Sequence, residues 1–310
     1  MTVRFAPSPT GRFHLGNLRT AWISHRLARE LGLPWWVRFE DIDGPRVVPG
    51  AREQQLADLA QLGLTPDHIE IQSQNVDLHW QVFLELLEAQ VIFPCTCSRK
   101  EVQEELAQLA SAPQAPHETQ SSLLSPLYSG HCLTHPPVAP GTSTAKPIAW
   151  RIRSSGVIIG RTERLEWNRS GESWHSMRFE PAYHWACAID DARTQPEHQI
   201  LVRAWDLAQA TPIQRKIQEH WKGPSYIPAA VFHTSLVVQT QGHRLEKRTH
   251  GITLPEWLGS QNSIDSLKDA FEASFSLPPA SSLQRGSVSG EKLQNLSLAE
   301  LFSHSPQRKK

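Results

Sequence analysis

Residues 2–17 decide the fold of this chain, and they read TVRFAPSPTGRFHLGN. Residues 2–6 form a short run with the composition of a β-strand. Residues 7–11 must be a loop, because two prolines do not fit in a central strand. From Leu18 onward, apolar residues recur every three or four positions until Gly32 ends the pattern, which predicts an α-helix.

A second β-prone run, residues 35–39, follows the predicted helix. Strand, loop, helix and strand within about 40 residues form a βαβ unit, whose strands are parallel and whose crossover is right-handed. The chain is therefore expected to be an α/β protein. Further helical patterns lie at 51–62, 77–89, 211–221, 254–258 and 264–275. Regular patterning resumes at 148–153, and a strand pattern lies at 235–239. Residues 183–189 and 200–203 are expected to form strands or a helix–strand pair.

The composition excludes several classes of protein. Hydrophobic residues make up 39% of the 310 residues and charged residues 20%, so wholesale disorder is excluded. Lys plus Arg and Asp plus Glu number 31 each, so a nucleic acid could bind only at a local basic patch. Four cysteines are too few for a disulfide scaffold, and they favour a reducing compartment with a metal or free thiols.

Neither a secretory signal nor a membrane span is predicted. The first residues lack a basic stretch followed by an apolar core, and no apolar run reaches the roughly 20 residues that cross a bilayer. We therefore expect a cytoplasmic protein without a membrane partner.

The loop and the helix start at residues 6–17 have the features of an anion site. The N-terminus of a helix presents N–H groups and partial positive charge. Gly11 and Gly16 allow close backbone approach, and His14 can donate a hydrogen bond to a phosphate oxygen. The segment lacks the Gly-x-Gly-x-x-Gly and Walker patterns, so a dinucleotide site or a P-loop is not expected. A turn with a helix-capping histidine is the alternative.

Three cysteines lie in or shortly before a proline-rich stretch. Cys95 and Cys97 precede residues 111–147, which are rich in Pro, Ser, Thr and Ala, and Cys132 lies within that stretch. Zinc in structural sites takes four tetrahedral ligands of the Cys and His type. The spacing therefore predicts a zinc site, for which His131 is the chemically conventional fourth ligand.

These segments resemble the signatures of class I aminoacyl-tRNA synthetases. His14-Leu15-Gly16-Asn17 resembles the family's HIGH motif. Five further segments resemble motifs of glutamyl-tRNA synthetases and follow one another in the same order as in that family: residues 4–11, 38–46, 183–191, 201–207 and 242–249. The last of them occupies the place of the second class I signature, KMSKS. The resemblance implies a Rossmann-like parallel-sheet catalytic domain, an inserted zinc-bearing subdomain of the acceptor-binding type and a short helical C-terminal region.

By this resemblance the chain divides into four segments. Residues 1–90 would be the first half of the catalytic domain, and residues 91–150 the inserted zinc-binding subdomain with its long proline-rich loop. Residues 151–250 would be the second half, ending in the KMSKS-like loop. Residues 251–310 would be the helical region and a basic tail.

The resemblance also implies roles for single residues. The glutamate pocket would be lined by Arg4, Phe5, Ala6, Pro7, Ser8, Glu40, Tyr183 and Arg203. ATP would meet His14, Gly16, Asn17 and Lys247, and the catalytic residues would be His14, Gly16 and Lys247. Two arginines suit a substrate with two carboxylates, and a glutamate side chain can accept a hydrogen bond from the substrate ammonium. For Tyr183, a plain core aromatic is the alternative.

Two metals are implied as well. In the resembling subfamily the fourth zinc ligand is a tyrosine four residues before the last cysteine, so one structural Zn²⁺ per chain would be held by Cys95, Cys97, Tyr128 and Cys132. Mg²⁺ is expected to bind together with ATP.

Two positions depart from the family pattern. Glu246 stands where the family usually has Ser, and Ala204 stands where it usually has Gly. A carboxylate about 6 Å from a phosphate repels it by up to roughly 3 kcal/mol at an effective dielectric of about 20. Solvent and the neighbouring Arg244 and Arg248 reduce this repulsion. We expect a working enzyme in which Glu246 points outward.

The length of the chain after Lys247 narrows the resemblance. It leaves room for a helical stretch but hardly for a full anticodon-binding domain. Together with the Cys-x-Cys, Tyr and Cys set, this resembles glutamyl-Q tRNA(Asp) synthetases. The resemblance implies a monomer, without a DNA partner, that activates L-glutamate with ATP and attaches it to the queuosine base of tRNA(Asp). The alternatives are a non-catalytic or impaired paralogue that binds tRNA or an amino acid, and a truncated synthetase that charges the acceptor end of tRNA(Glu) or tRNA(Gln).

Overall fold

The computed structural model describes most of the chain and divides it into two compact units. The described residues are 1–98, 100–104, 128, 130–135, 148–162, 179–193, 199–238 and 251–303, together with the backbone at 165–167 and 174–176. The first unit contains residues 1–73, 191–208 and 227–310, and the second contains residues 74–190 and 209–226. The predicted division into four segments stays a prediction.

Strands and helices alternate along the described residues. The strands are β1 (Thr2–Phe5), β2 (Trp35–Phe39), β3 (His68–Ile71), β4 (Ile92–Cys95), β5 (Ile148–Ile152), β6 (Ile158–Thr162), β7 (Leu165–Trp167), β8 (Trp174–Ser176), β9 (Phe179–Pro181), β10 (Gln199–Ala204), β11 (Ala230–Thr234), β12 (Leu236–Val238), β13 (Val288–Gly290) and β14 (Asn295–Ser297). The helices are α1 (Leu15–Glu30), α2 (Ala51–Gln61), α3 (Val76–Glu88), α4 (His131–Thr134), α5 (Tyr183–Arg193), α6 (Ala210–Lys222), α7 (Leu254–Gly259), α8 (Ile264–Ala273) and α9 (Leu298–Ser303). No helix among the described residues is both long and apolar enough to cross a membrane.

The βαβ unit predicted from the first 39 residues is confirmed. β1 pairs in parallel with β2, with Val3 opposite Trp35, and α1 connects the two strands. The helix begins at Leu15 rather than at Leu18, where the apolar repeat begins, because His14 caps its first turn. The helix–strand pair expected from residue 183 onward is also confirmed, as α5 and β10.

A parallel sheet forms the centre of the first unit. Within the described residues it has six strands in the order β13-β11-β10-β1-β2-β3, and every pairing is parallel. Its core consists of apolar side chains of the sheet and of α1, among them Val3, Phe5, Trp35, Val37, Phe39, Leu18 and Leu27. On one side of β1 the sheet continues with β2 and β3, and on the other side with β10, β11 and β13, so the direction of strand succession reverses between β1 and β10. Ligands of open α/β sheets bind at the carboxyl ends of strands at such a reversal.

The described part of the second unit contains antiparallel strands and the helices α3, α4, α6 and most of α5. Its described strands lie in the order β4-β5-β6-β9, and β7 pairs with β8. Aromatic side chains from α3, β5 and α5 fill its core, among them Phe83, Trp150 and Trp185. The ring of Phe83 meets that of Trp150 edge-on, with centroids 5.0 Å apart.

The C-terminal region differs from the purely helical one that was expected. It contains α7, α8 and α9, but also β13, which extends the parallel sheet, and β14, which pairs with β12. Both strands are only three residues long, too short for a hydrophobic pattern to identify. Buried Arg19 of α1 binds Glu291 through two hydrogen bonds of 2.8 and 2.7 Å. This region is therefore part of the first unit.

Candidate functional site

Three arginines converge on one buried carboxylate near the carboxyl ends of β1, β2 and β10. Arg4 Nη2 donates to both oxygens of Asp191, at 2.6 and 2.7 Å. Arg38 Nη1 donates to Oδ1 and Arg203 Nη2 to Oδ2, each at 2.7 Å. The Asp191 side chain is 0% exposed, and the three arginines are buried with it. The topology of the sheet brings these four residues together from distant parts of the chain.

The charges of this cluster are held in a fixed arrangement. Burial alone would raise the pKa of Asp191, but Arg38, Arg4 and Arg203 outweigh it and hold that pKa well below its usual range. Arg38 also donates to Glu40 Oε1 at 3.0 Å, and Glu40 is buried. Among these five side chains, three positive charges face two negative ones. A site of this composition suits an anionic ligand.

Two buried polar residues of α2 hold the loop between β1 and α1. Gln55 Nε2 donates to the carbonyl oxygens of Ser8 at 3.2 Å and Gly11 at 2.6 Å. Arg12 Nη1 donates to Asp58 Oδ1 at 2.8 Å. Gln55 and Asp58 are both 0% exposed. At Gly11 the backbone has a φ of 126°, which glycine adopts without strain. The loop therefore has one defined path into α1.

His14 caps the start of α1 with its own ring. Its Nδ1 accepts from Gly16 N at 3.1 Å and from Asn17 N at 3.3 Å, while Leu15 N donates to the Ile252 carbonyl oxygen at 2.9 Å. The first N–H groups of α1 are thus bonded within the protein, which confirms the capping alternative. The predicted anion site at the start of this helix stays a prediction. Because Nδ1 accepts, the neutral ring carries its proton on Nε2, the nitrogen through which His14 can donate.

Gly16 leaves the space that this ring occupies. A methyl group at Gly16 would lie 3.0 Å from two atoms of the His14 ring and 3.5 Å from Val237 Cβ. Contacts of 3.0 Å are tighter than almost all real contacts of a Cβ atom, so a larger residue would displace the ring. The predicted importance of Gly16 thus has a local cause, which is the seating of His14.

Described residues on either side of the segment 239–250 lie at the start of α1. Before this segment, Val237 of β12 lies beside Gly16. After it, Thr253 forms an antiparallel bridge with His14. The segment contains the KMSKS-like residues, which lie outside the described part of the chain: residues 242–249, with Glu246 and Lys247.

The other predicted pocket residues of the first unit lie along the end of β1. The Phe5 ring packs in the core, with its centroid 6.0 Å from that of Phe13. The Pro7 carbonyl oxygen accepts from Glu40 N at 2.9 Å, which holds the loop against the end of β2. Ala6 and Ser8, on either side of Pro7, are half-buried.

Tyr183 lies in the second unit, where it is the first residue of α5. Its side chain is 36% exposed, and its ring contacts that of His184 with centroids 5.4 Å apart. The alternative that Tyr183 is a core aromatic is therefore wrong. Its role in an amino-acid pocket stays a prediction.

A second cluster, in the second unit, has the composition of a metal centre. The sulfur atoms of Cys95, Cys97 and Cys132 all lie within 4.8 Å of one another, and none of these cysteines is in a disulfide. Cys97 Sγ lies 3.3 Å from Cys132 Sγ and 3.4 Å from Tyr128 Oη. Tetrahedral zinc with Zn–S bonds of about 2.3 Å separates its sulfurs by about 3.8 Å. The cluster, defined by these four residues, therefore fits a zinc ion with a small adjustment.

Of the two candidates for a fourth ligand, Tyr128 lies beside the sulfur atoms, with its Oη 3.4 Å from Cys97 Sγ, and its role as a ligand stays a prediction. Tyr128 Oη accepts from Cys132 N at 2.6 Å, whereas His131 is exposed and stacks on His135 with centroids 5.0 Å apart. Burial raises the pKa of the Cys97 thiol to about 12. At neutral pH a bound cation would be needed to convert this thiol into the thiolate that ligates zinc.

Comparison with protein-family models matches residues 1–264 to the catalytic domain of tRNA synthetases class I (E and Q). The chain belongs to this family. It is therefore a ligase, and its parallel sheet is that of a class I synthetase catalytic domain. The arginine cluster and the His14 cap lie within the matched residues.

Individual relatives agree with this assignment. A glutamyl-Q tRNA(Asp) synthetase of Burkholderia cenocepacia is 33% identical over 270 residues, which are 81% of this chain and 81% of that one. One of Nocardia farcinica is 34% identical over 283 residues, which cover 89% of this chain and 85% of that one. The resemblance to glutamyl-Q tRNA(Asp) synthetases is thus confirmed.

Solved structures share the fold. The crystal structure of a glutamate tRNA ligase from Elizabethkingia meningosepticum, in complex with its amino acid, matches with a TM-score of 0.56 and 20% sequence identity. The match covers 88% of this chain and 60% of that chain. At 20% identity, this structural similarity shows that the chain shares the fold of that glutamate tRNA ligase.

Several residues of the site were not identified from the sequence. Asp191 had no role, although an Asp pair that ends an apolar helical run is a signal for buried carboxylates. Gln55 and Asp58 lie three residues apart on the buried face of α2, where polar residues indicate a hydrogen-bonding task. Arg38 was noted only as part of a motif.

Proposed function

We propose that this synthetase activates L-glutamate with ATP and transfers it to the queuosine base of tRNA(Asp). The observation that carries the proposal is the buried arginine cluster around Asp191, at the strand reversal where ligands of parallel sheets bind. The family and the fold support glutamate and ATP as substrates. The acceptor is supported by relatives named for it, which match over four-fifths of both chains.

Glutamate would bind beside the arginine cluster. The excess of positive over negative charge among its buried side chains favours a carboxylate of the substrate, and Arg4 and Arg203 are the donors assigned to it. Glu40, held by Arg38 at 3.0 Å, would accept a hydrogen bond from the substrate ammonium. Phe5, Ala6, Pro7 and Ser8 would line the pocket along the end of β1, and Tyr183 would complete it.

ATP would bind at the start of α1. His14 would donate from Nε2 to a phosphate oxygen, with Gly16 and Asn17 holding its ring through Nδ1. Lys247 would reach the same phosphates, since the described residues that flank its segment in the chain, Val237 and Thr253, lie beside Gly16 and His14. Mg²⁺ bound with ATP would offset phosphate charge during the reaction.

The chemistry then takes two steps. The α-carboxylate oxygen of glutamate attacks the α-phosphorus of ATP, and the bond to pyrophosphate breaks, which gives glutamyl-adenylate. A hydroxyl of the queuosine cyclopentenediol next attacks the adenylate carbonyl, loses its proton and releases AMP. Positioning and charge stabilisation are sufficient for both steps, so no protein nucleophile is needed.

The cluster of the second unit would hold a structural zinc ion. Cys95, Cys97, Cys132 and Tyr128 would be its four ligands. The ion would connect β4, α4 and Tyr128. It would thereby stabilise a part of the second unit whose apolar cluster is small.

Transfer of labelled glutamate to purified tRNAs tests the proposed acceptor. We expect label on tRNA(Asp) that carries queuosine, and none on queuosine-free tRNA(Asp) or on tRNA(Glu). Label in a ribose ester of tRNA(Glu), or equal transfer to tRNA(Asp) without queuosine, would identify a truncated glutamyl-tRNA synthetase instead. The matched pair of tRNA(Asp) samples differs only in the modified base, so the result isolates that base.

A further inference from the structure

Arg151 is a buried arginine of the second unit that lies against Tyr128. It is 6% exposed, and its guanidinium carbon lies 4.4 Å from the centre of the Tyr128 ring. Its Nη1 donates to the Gly156 carbonyl oxygen at 2.7 Å. In the part of the chain that the structure describes, these are its partners, and no carboxylate is among them. A buried cation without a counter-ion is unfavourable, so negative charge is expected close by.

The cysteine–tyrosine cluster would supply that charge once it holds a metal. Cysteines bind zinc as thiolates, and three thiolates with one phenolate around a divalent cation carry two net negative charges. Tyr128 Oη belongs to the ring that Arg151 covers, and it lies 3.4 Å from Cys97 Sγ. The buried positive charge and the anionic ligand set are therefore in contact through one aromatic ring.

We propose that Arg151 is the positioning residue and counter-ion of this metal site. It holds the Tyr128 ring so that the phenol oxygen meets the sulfurs, and its charge offsets that of the ligand set. Gly156 supports the same placement, because a methyl group there would lie 2.5 Å from Tyr128 Cβ. The turn that carries the Gly156 carbonyl thus receives both the Tyr128 side chain and the arginine. This inference rests on the proposed zinc site.

The zinc affinity of the full chain, measured by competition with a chromogenic chelator, tests the proposal. We expect Arg151→Met to weaken zinc binding about 10- to 100-fold, the usual effect of removing a residue behind a metal ligand. Arg153→Met is the matched control, since Arg153 lies two residues farther on, just after β5, and is exposed, with its guanidinium carbon 5.8 Å from the centre of the Phe93 ring. It should change the affinity by less than about twofold.

A double-mutant cycle with Tyr128→Phe separates positioning of the ring oxygen from general packing. In that background we expect Arg151→Met to weaken zinc binding clearly less than in wild type, because the ring has no oxygen left to position and only the charge of Arg151 toward the three thiolates remains to be lost. An equal loss in both backgrounds would overturn the proposal, as would unchanged zinc binding by Arg151→Met. If Arg151→Met does not fold, Arg151→Lys tests the positioning role: it keeps the charge without the planar fork, so weaker binding than wild type supports that role and equal binding overturns it.

Wild-type protein shows separately whether the underlying zinc site exists. Elemental analysis of the reduced, purified chain should give about one zinc per chain, whereas less than about half an equivalent would contradict the zinc site itself. That result concerns wild type alone, so it is distinguishable from a failure of the Arg151 proposal, in which wild type binds zinc and Arg151→Met binds it equally well.

Discussion

In the first unit, buried arginines meet carboxylates of the same chain, whereas in the second unit a buried arginine faces thiols and a phenol. In the cluster around Asp191 both signs of charge come from the polypeptide, since Arg4, Arg38 and Arg203 share one carboxylate. In the cluster around Cys97, burial raises the pKa of the Cys97 thiol to about 12, so the proposed zinc ion would be needed to make this ligand a thiolate at neutral pH. Under the proposed function, the first cluster would be preorganised for its substrate, whereas the second would depend on a bound ion for its structure.

Asp191→Asn is expected to have the largest effect, because it removes the shared counter-ion of three buried arginines. Breaking a buried ion pair from one side typically lowers the free energy of unfolding by about 3–5 kcal/mol. Urea unfolding at neutral pH measures this loss. Asp269→Asn, at an exposed position of α8, should stay within about 0.5 kcal/mol of wild type. Equal stabilities of the two variants would show that the cluster is not held by Asp191.

Gly156→Ala disturbs the second region without replacing a proposed ligand. The new methyl group would lie 2.5 Å from Tyr128 Cβ, on a backbone with a φ of 70°. We expect the free energy of unfolding of the zinc-loaded protein to fall by about 1–3 kcal/mol, together with weaker zinc binding. Gly223→Ala is the control, because Gly223 has a φ of 91° but no atom within 4 Å of the added group. If both variants retain zinc equally, the contact with Tyr128 has no part in the site.

The titration of Asp191 should make the stability of the first region depend on pH in the acid range. Its pKa in the folded protein lies below the usual value, so its stabilising charge is fully present above about pH 4 and is lost as the pH falls further. The difference in unfolding free energy between wild type and Asp191→Asn should then narrow by up to about 1.4 kcal/mol per pH unit. Unfolding titrations of both proteins between neutral and acidic pH measure it, and other carboxylates cancel in the difference. A constant difference down to about pH 2 would contradict the charged cluster.

Gly16→Ala should have a smaller effect, confined to catalysis. The added methyl group lies 3.0 Å from two atoms of the His14 ring, so the ring must move by a few tenths of an ångström. We expect a loss of about tenfold in glutamate activation, with stability changed by less than about 1 kcal/mol. Steady-state kinetics with varied ATP, beside a thermal melt, would show this. An unchanged rate would mean that the placement of His14 does not matter.

The first βαβ unit could be predicted because its signals are local. Two prolines, an apolar repeat from Leu18 and a stop at Gly32 each specify nearby backbone, and the structure follows them within about one turn. The pairing of Arg4 and Arg203 with Asp191 could not be predicted in the same way. These residues are brought together by strand order, which no local pattern encodes.

Polar residues on buried helix faces are a second feature whose partners could not be predicted from the sequence. Gln55 and Asp58 interrupt the apolar face of α2, and their partners are backbone and side-chain atoms of a loop some 45 residues earlier. The short strands β13 and β14 were missed because three residues carry no period. The cap at His14 replaced the expected open N–H groups, since a histidine ring can turn back on its own helix.

Glutamate-dependent exchange between ATP and pyrophosphate, measured for each of the twenty amino acids with and without tRNA, tests the central claim most directly. If the arginine cluster and the start of α1 form one activating site, glutamate supports exchange and the other amino acids do not. Absence of glutamate-dependent exchange at saturating ATP, with wild-type protein that is folded and zinc-loaded, would contradict the account and favour a paralogue that only binds its ligands.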